Sequence, residues 1–174
     1  AVQTPDLSIV QTVVARRSAS DQAARGTSTT RTIERATGDR APDFALTLFD
    51  GDSMRLSDLR SKVVVLNFWG SWCPPCRAEM PAFQRIWEEY RDKDVVFLGV
   101  AVQDRETTAR VFAKQTGVTY PLGLDRTGEI TVDYQVLSFP TTFVIDREGN
   151  EAKRFGPANE GVLRIVLNGQ LSDG

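Results

Sequence analysis

Cys73 and Cys76 are the only cysteines in the 174-residue chain, and they stand three apart in Trp72-Cys73-Pro74-Pro75-Cys76. Two residues between them permit an internal disulfide that can be opened and closed again, which is the chemistry of thiol–disulfide exchange. Cys73 is expected to be the exposed sulfur that attacks a partner disulfide, and Cys76 the one that resolves the mixed disulfide. Two blander uses compete. A purely structural bridge would close a very short loop, and because the entropic benefit of a cross-link grows with loop length, the pair is a poor staple. Zinc needs four ligands, and two cysteines in a chain without histidine leave only an intermolecular four-cysteine site.

The pair must sit where a strand turns into a helix. Residues 63–69 (Val-Val-Val-Leu-Asn-Phe-Trp) are apolar on both alternating faces, as in a central strand of a parallel sheet. Beyond Cys76, the residues Met80, Phe83, Trp87 and Tyr90 recur at spacings of four, three, four and three, one face of a helix. A helix N-terminus offers unpaired N–H groups and the positive end of a dipole, and both favour a thiolate at Cys73. Neither Pro74 nor Pro75 has an N–H, so the donor of residue 75 is missing and the Cys76 amide must serve. A reduced form stabilised less than it could be has a lower reduction potential, which points to a reductant of disulfides. Pro81, inside the helical pattern, is expected to kink the helix.

The remaining elements form an α/β pattern. Residues 95–102 read as a second buried strand, completing a right-handed βαβ unit. Residues 106–115 read as a helix ending at Gly117, 120–124 as a short strand, and 129–134 as a helical turn. Residues 141–146 and 151–155 read as antiparallel strands, and 160–167 as a closing amphipathic helix. Near the start, residues 45–48 and the turn Asp50-Gly51-Asp52 signal a hairpin, and residues 57–59 a short turn. Residues 1–39, rich in Ser, Thr, Ala and Arg and without an aromatic residue, read as a tail or membrane-tether linker. Its apolar patch at Leu7, Ile9, Val10, Val13 and Val14 would let it dock in part. Residues 40–174 form the globular domain.

Composition removes several classes of function. Against 23 acidic side chains stand 21 basic ones, a net charge of −2, which leaves no footprint for nucleic acid or an anionic membrane. The absence of histidine removes the commonest metal ligand and the usual general base of hydrolases, and no cofactor or metal is expected. No apolar run approaches the roughly 18 residues of a membrane span. The chain begins at Ala1 without Met, from which a removed signal or anchor is expected.

The run from Asn67 to Pro81, together with Phe139-Pro140-Thr141-Thr142-Phe143 and the opening Ala41-Pro42-Asp43-Phe44, resembles the thioredoxin superfamily in its TlpA/ResA-like branch of thiol:disulfide oxidoreductases, related to the AhpC/TSA redoxins. The resemblance covers residues 41–168. It implies a thioredoxin-like fold, a central mixed β-sheet flanked by helices, with an extra αβ insertion near residues 105–124 and an N-terminal β-hairpin. It also implies that Pro140 is a cis-proline beside the cysteines, that Trp69 packs the core and that Trp72 helps to shape the docking surface. Asn67 stands where thioredoxin has a buried aspartate, and an amide cannot accept the Cys76 proton. Glu79 matches the glutamate that ResA-type relatives place beside the pair, so it is the expected acid/base or pKa-tuning group; an ordinary solvated helix carboxylate is the alternative. Asp104 is a second candidate.

The activity so implied is reduction of protein disulfides outside the cytoplasm, by a monomer anchored to the membrane through a segment outside this chain. A membrane thiol reductant would supply electrons, and an apocytochrome c or a copper-site assembly protein would receive them. Two other readings use the same fold. A peroxiredoxin-type peroxidase shares the Ala-Pro-Asp-Phe opening but needs a Thr three residues before its peroxidatic Cys, where Gly70 precedes Cys73 and Cys73 precedes Cys76. A metallochaperone or binding module would use a longer cysteine spacing and a distant histidine, and the chain has neither.

Overall fold

The computed structural model of the protein describes residues 38–172. The apolar patch of residues 7–14, and nearly all of the expected tail, lie outside them.

The run of β-branched residues after Ser61 forms β3 (Val63–Trp69), buried at every position because both faces of the sheet are covered. It is the middle strand of five, in the order β5 (Leu122–Leu124), β4 (Val95–Ala101), β3, β6 (Thr141–Ile145), β7 (Glu151–Phe155). β3 and β4 run parallel, with Val63 opposite Val95 and Trp69 opposite Ala101, and the helix α1 (Pro74–Tyr90) makes the crossover between them. β6 lies antiparallel on the other side, with Asn67 opposite Thr142. β5 pairs parallel to β4 after α2 (Glu106–Thr116), so the αβ step near residues 105–124 adds the edge strand. The hairpin β1 (Ala45–Thr47) and β2 (Ser53–Arg55) is a separate two-stranded sheet. It blunts the β5 edge through the Phe49 N–H, which donates to the Leu122 carbonyl at 2.8 Å.

Period-two alternation divides the core. Val63, Val65 and Trp69 point to the side covered by Met80, Phe83 and Ile86 of α1, Phe112 of α2, and Leu163 and Leu167 of α4 (Glu160–Ser172). Val64, Leu66 and Phe68 point to the other, where Phe44, Leu46, Ile130 and Tyr134 pack. This second side is covered by the hairpin and the short α3 (Glu129–Asp133). By the same alternation Asn67 falls on the helix side, a polar residue in an otherwise apolar strand.

Local signals account for most boundaries. α2 stops at Gly117, whose φ of 74° lies in the left-handed region that glycine adopts without strain. α1 runs through Pro81 as one helix. Two boundaries differ from expectation by more than one residue. The strand before α3 starts at Leu122, because Tyr120 turns inward to pack on Phe97. α4 continues five residues past Leu167, pinned by the Tyr90 hydroxyl, which donates to Asn168 Oδ1 at 2.8 Å, and by Leu171 packing on the core. Gly169 and the polar residues around it hide that last turn from a hydrophobic pattern.

Candidate active site

Cys73 is the N-cap residue of α1, and Pro74 and Pro75 fill the first two helical positions. Proline is pre-shaped for that place, where its missing N–H would have no helical partner. The two cysteines form a disulfide with an S–S length of 2.06 Å. The one amide left to serve the Cys73 sulfur does so: Cys76 N–H donates to Cys73 Sγ at 3.3 Å. No acidic residue occupies the first turn of α1, so nothing there opposes a thiolate at the positive end of the dipole.

The expectation that Cys73 is exposed needs correcting. It is 3% exposed and Cys76 0%. The Cys73 sulfur is bonded to the Cys76 sulfur and accepts from the Cys76 amide within that buried site.

Trp72 is 49% exposed and marks the rim of the site. Its indole N–H donates to the Val102 carbonyl at 3.1 Å, and its ring meets Phe139 edge-on at 5.2 Å. The ring lies across Gly70: a Cβ there would sit 2.6 Å from indole atoms, so only glycine admits this placement. The Phe139–Pro140 peptide is cis, and Pro140 is buried next to β6. Trp69 is fully buried and stacks on Phe112 at 5.5 Å, and the Arg77 guanidinium lies 4.4 Å over the same Phe112 ring.

Asp104 is committed to the chain just before the cysteines. It accepts from Ser71 N–H at 2.7 Å, Ser71 Oγ at 3.0 Å and Arg105 N–H at 2.8 Å, so it fixes the loop that delivers Trp72 and Cys73.

Glu79 follows Cys76 by three residues and therefore shares its helix face. It is 4% exposed, which removes the solvated-carboxylate alternative as a description of where it sits. Asn67 Nδ2 donates to Glu79 Oε1 at 2.9 Å and to Thr142 Oγ1 at 3.0 Å. The Ala158 N–H donates to Glu79 Oε2 at 3.1 Å. Burial pushes the carboxyl from 4.5 up to about 7, opposed by the hydrogen bonds from Ala158 and Asn67. A group with that proton affinity can take and return a proton near neutral pH. Asn67 Oδ1 has no partner among the described residues.

The structure sets Cys73 and Cys76 at the start of α1, Glu79 one turn further on and bonded to Asn67, and Trp72 against Phe139, next to the cis Pro140; sequence reasoning did not single out the Ala158 amide or the Thr142 hydroxyl. Thr142 was open to discovery once β6 was set antiparallel to β3, which places it opposite Asn67. The Ala158 amide had no such signal. Among the described residues no group of acidic, histidine or cysteine side chains is arranged to hold a metal ion.

The sequence model of the AhpC/TSA family matches residues 37–152. A thiol-disulfide oxidoreductase ResA from Geobacillus kaustophilus is 43% identical over 114 residues, which cover 66% of this chain and 66% of that protein. The chain thus spans just under two thirds of the length of that relative. Among solved structures, a thiol:disulfide interchange protein of the thioredoxin family from Chlorobium tepidum superposes with a TM-score of 0.71 at 27% identity, covering 77% of this chain and 97% of that one. A secreted thiol-disulfide isomerase from Corynebacterium glutamicum superposes with a TM-score of 0.69 at 28% identity, over 76% and 85% of the two chains.

Proposed function

The chain belongs to the AhpC/TSA family with a thioredoxin-like fold, and from that premise we propose that it is a thiol:disulfide oxidoreductase that reduces protein disulfides outside the cytoplasm. One observation carries the reading: a Cys-Pro-Pro-Cys disulfide at the N-terminus of α1 stands one helical turn from a buried carboxyl whose proton affinity suits exchange near neutral pH.

In the reduced form Cys73 thiolate attacks one sulfur of the partner disulfide. A mixed disulfide forms, the partner bond breaks, and the leaving thiolate takes a proton from water. Cys76 then loses its proton to the Glu79 carboxylate and attacks Cys73 Sγ. The second partner thiolate leaves, the Cys73–Cys76 bond closes, and Glu79 holds the proton. Two electrons have passed to the partner. A membrane thiol reductant returns them, and Glu79 gives the proton back as the Cys76 thiol re-forms. Asn67 donates to one oxygen of Glu79, Asp104 holds the approach loop, and Trp72, with Phe139, lines the surface on which the partner lies, with the cis Pro140 buried next to Phe139.

The partners belong to the class of oxidised apocytochrome c or copper-site assembly proteins. The secreted relative from Corynebacterium glutamicum supports an extracytoplasmic place. A membrane anchor outside the described residues belongs to the same proposal; within them no helix is long and apolar enough to cross a membrane.

Insulin reduction with a dithiol donor, combined with a redox titration of the pair, tests the reading. Turnover is expected, lost in Cys73→Ser, with a potential well below the roughly −120 mV of a strong oxidant such as DsbA. No dithiol-dependent turnover, a potential near that oxidant, or consumption of hydrogen peroxide in place of protein disulfide would overturn it.

A further inference from the structure

Glu79 is held from two sides that differ in kind. The Asn67 bond comes from β3, the middle strand of the sheet. The Ala158 bond comes from the loop of residues 156–159 between β7 and α4, and it spends a main-chain donor on a side chain 79 residues away. That loop is tied at both ends. At its start it follows Phe155, which is paired with Thr142 of β6. Asn159 caps α4, its Oδ1 accepting from Val162 N–H at 3.1 Å. The amide of Ala158 therefore has a fixed position, and a part-buried N–H aimed at a carboxyl oxygen favours the charged form over the acid.

We propose that the Ala158 amide is the positioning donor of Glu79: through this one bond the loop of residues 156–159 sets which way the carboxyl faces and how readily it takes the proton that Cys76 releases. The inference rests on the reading of Glu79 as the proton acceptor. It ties that function to the loop that leaves β7, whose last residue Phe155 pairs with Thr142, two residues after Pro140. The groups around the carboxyl are few. Cys76 lies one turn before it on α1, Asn67 and Thr142 come from β3 and β6, and Tyr120, whose phenol is pushed up by burial and by the Glu79 charge, comes from the segment before β5. The first turn of α4 brings Glu160, which is paired at the surface with Arg85 and Arg164.

The test replaces the peptide N–H at position 158 by an ester oxygen, with lactate in place of Ala158, in the disulfide form of the whole chain. The Glu79 carboxyl is followed by carbon-13 NMR across pH. Loss of the donor is expected to raise the Glu79 midpoint by about one pH unit, a tenfold change in proton affinity, while Ala158→Gly, which keeps the amide, leaves it in place. An ester protein that folds with an unmoved midpoint overturns the proposal. Should the ester protein fail to fold, the wild-type Ala158 amide proton decides. Its shift is expected to follow the Glu79 titration and to lie flat in Glu79→Gln; a flat line in the wild type overturns the proposal. Because this readout uses the disulfide form and no turnover, it is independent of whether Glu79 serves the reaction. Failure of that reading would instead show as unchanged thiol chemistry in Glu79→Gln.

Discussion

Asp125 and Glu79 are both buried carboxylates, 6% and 4% exposed, yet their surroundings differ in kind. Asp125 accepts from Gly128 N–H at 3.0 Å, Thr131 N–H at 2.9 Å and Thr131 Oγ1 at 2.6 Å. These include amides at the opening of α3, which a helix leaves without partners of its own. The carboxylate and the helix end satisfy each other, and the result is a fixture of the fold. Glu79 has two donors, an apolar flank at Met80 and Phe83, and a proton affinity raised to about 7. It is equipped to hold a proton and release it. Asp125 is thus met by three donors from one local turn, whereas at Glu79 burial outweighs the two donors that oppose it.

The largest effect that should divide the two is kinetic. Glu79→Gln is expected to slow resolution of the mixed disulfide by about 100-fold, the usual scale for loss of a positioned acid or base. Rapid acid quenching and gel separation of the trapped intermediate would measure it. Asp125→Ala should do the reverse. It strands buried donors at Gly128 and Thr131 and should cost about 3 kcal/mol in urea denaturation, with the exchange rate per folded molecule unchanged. If instead Asp125→Ala slowed resolution, or Glu79→Gln did not, the division would fail.

A third effect is read from pH. Glu79 binds its proton more tightly folded, at about 7, than at its ordinary 4.5. The folded state therefore binds more protons between those values, and stability falls as pH rises through them. The contribution is fully present below about 4.5 and lost by about 8, on the order of 3 kcal/mol in all. Denaturation of the disulfide form across that range should show the slope in the wild type and a flatter line in Glu79→Gln. The smallest effect concerns the rim. Gly70→Ala would drive a Cβ into the Trp72 indole, costing about 1 kcal/mol. The Trp72 fluorescence should shift and the KM for a protein disulfide rise, with the resolution rate unmoved.

What the chain disclosed in advance follows from where its chemistry is carried. Cys73 and Cys76 were legible because thiols are rare and their spacing permits few uses. Asn67 was singled out through the resemblance, as the residue standing where thioredoxin has a buried aspartate, and Gly117 marked a helix end through the one conformation that favours it. The resemblance drew attention to Glu79, but neither its burial nor its two donors can be read from its own position. Ala158 was invisible because a main-chain N–H has no side-chain signature and its acceptor lies on another element. Asp125 gave no such signal either, since the N-cap of α3 is Gly128 and an Asp three residues earlier is outside the capping position. The exposure expected of Cys73 was mistaken because order along the helix says which sulfur leads, while solvent access depends on how that sulfur is turned.

The most direct test of Glu79 as the partner of the dithiol is the thiolate absorbance of the reduced protein, titrated in the wild type and in Glu79→Gln. Removing a buried negative charge beside the pair favours the thiolate, so the Glu79→Gln curve should begin its rise at lower pH and lose the breadth that two coupled groups give the wild type. Superimposable curves would contradict the account.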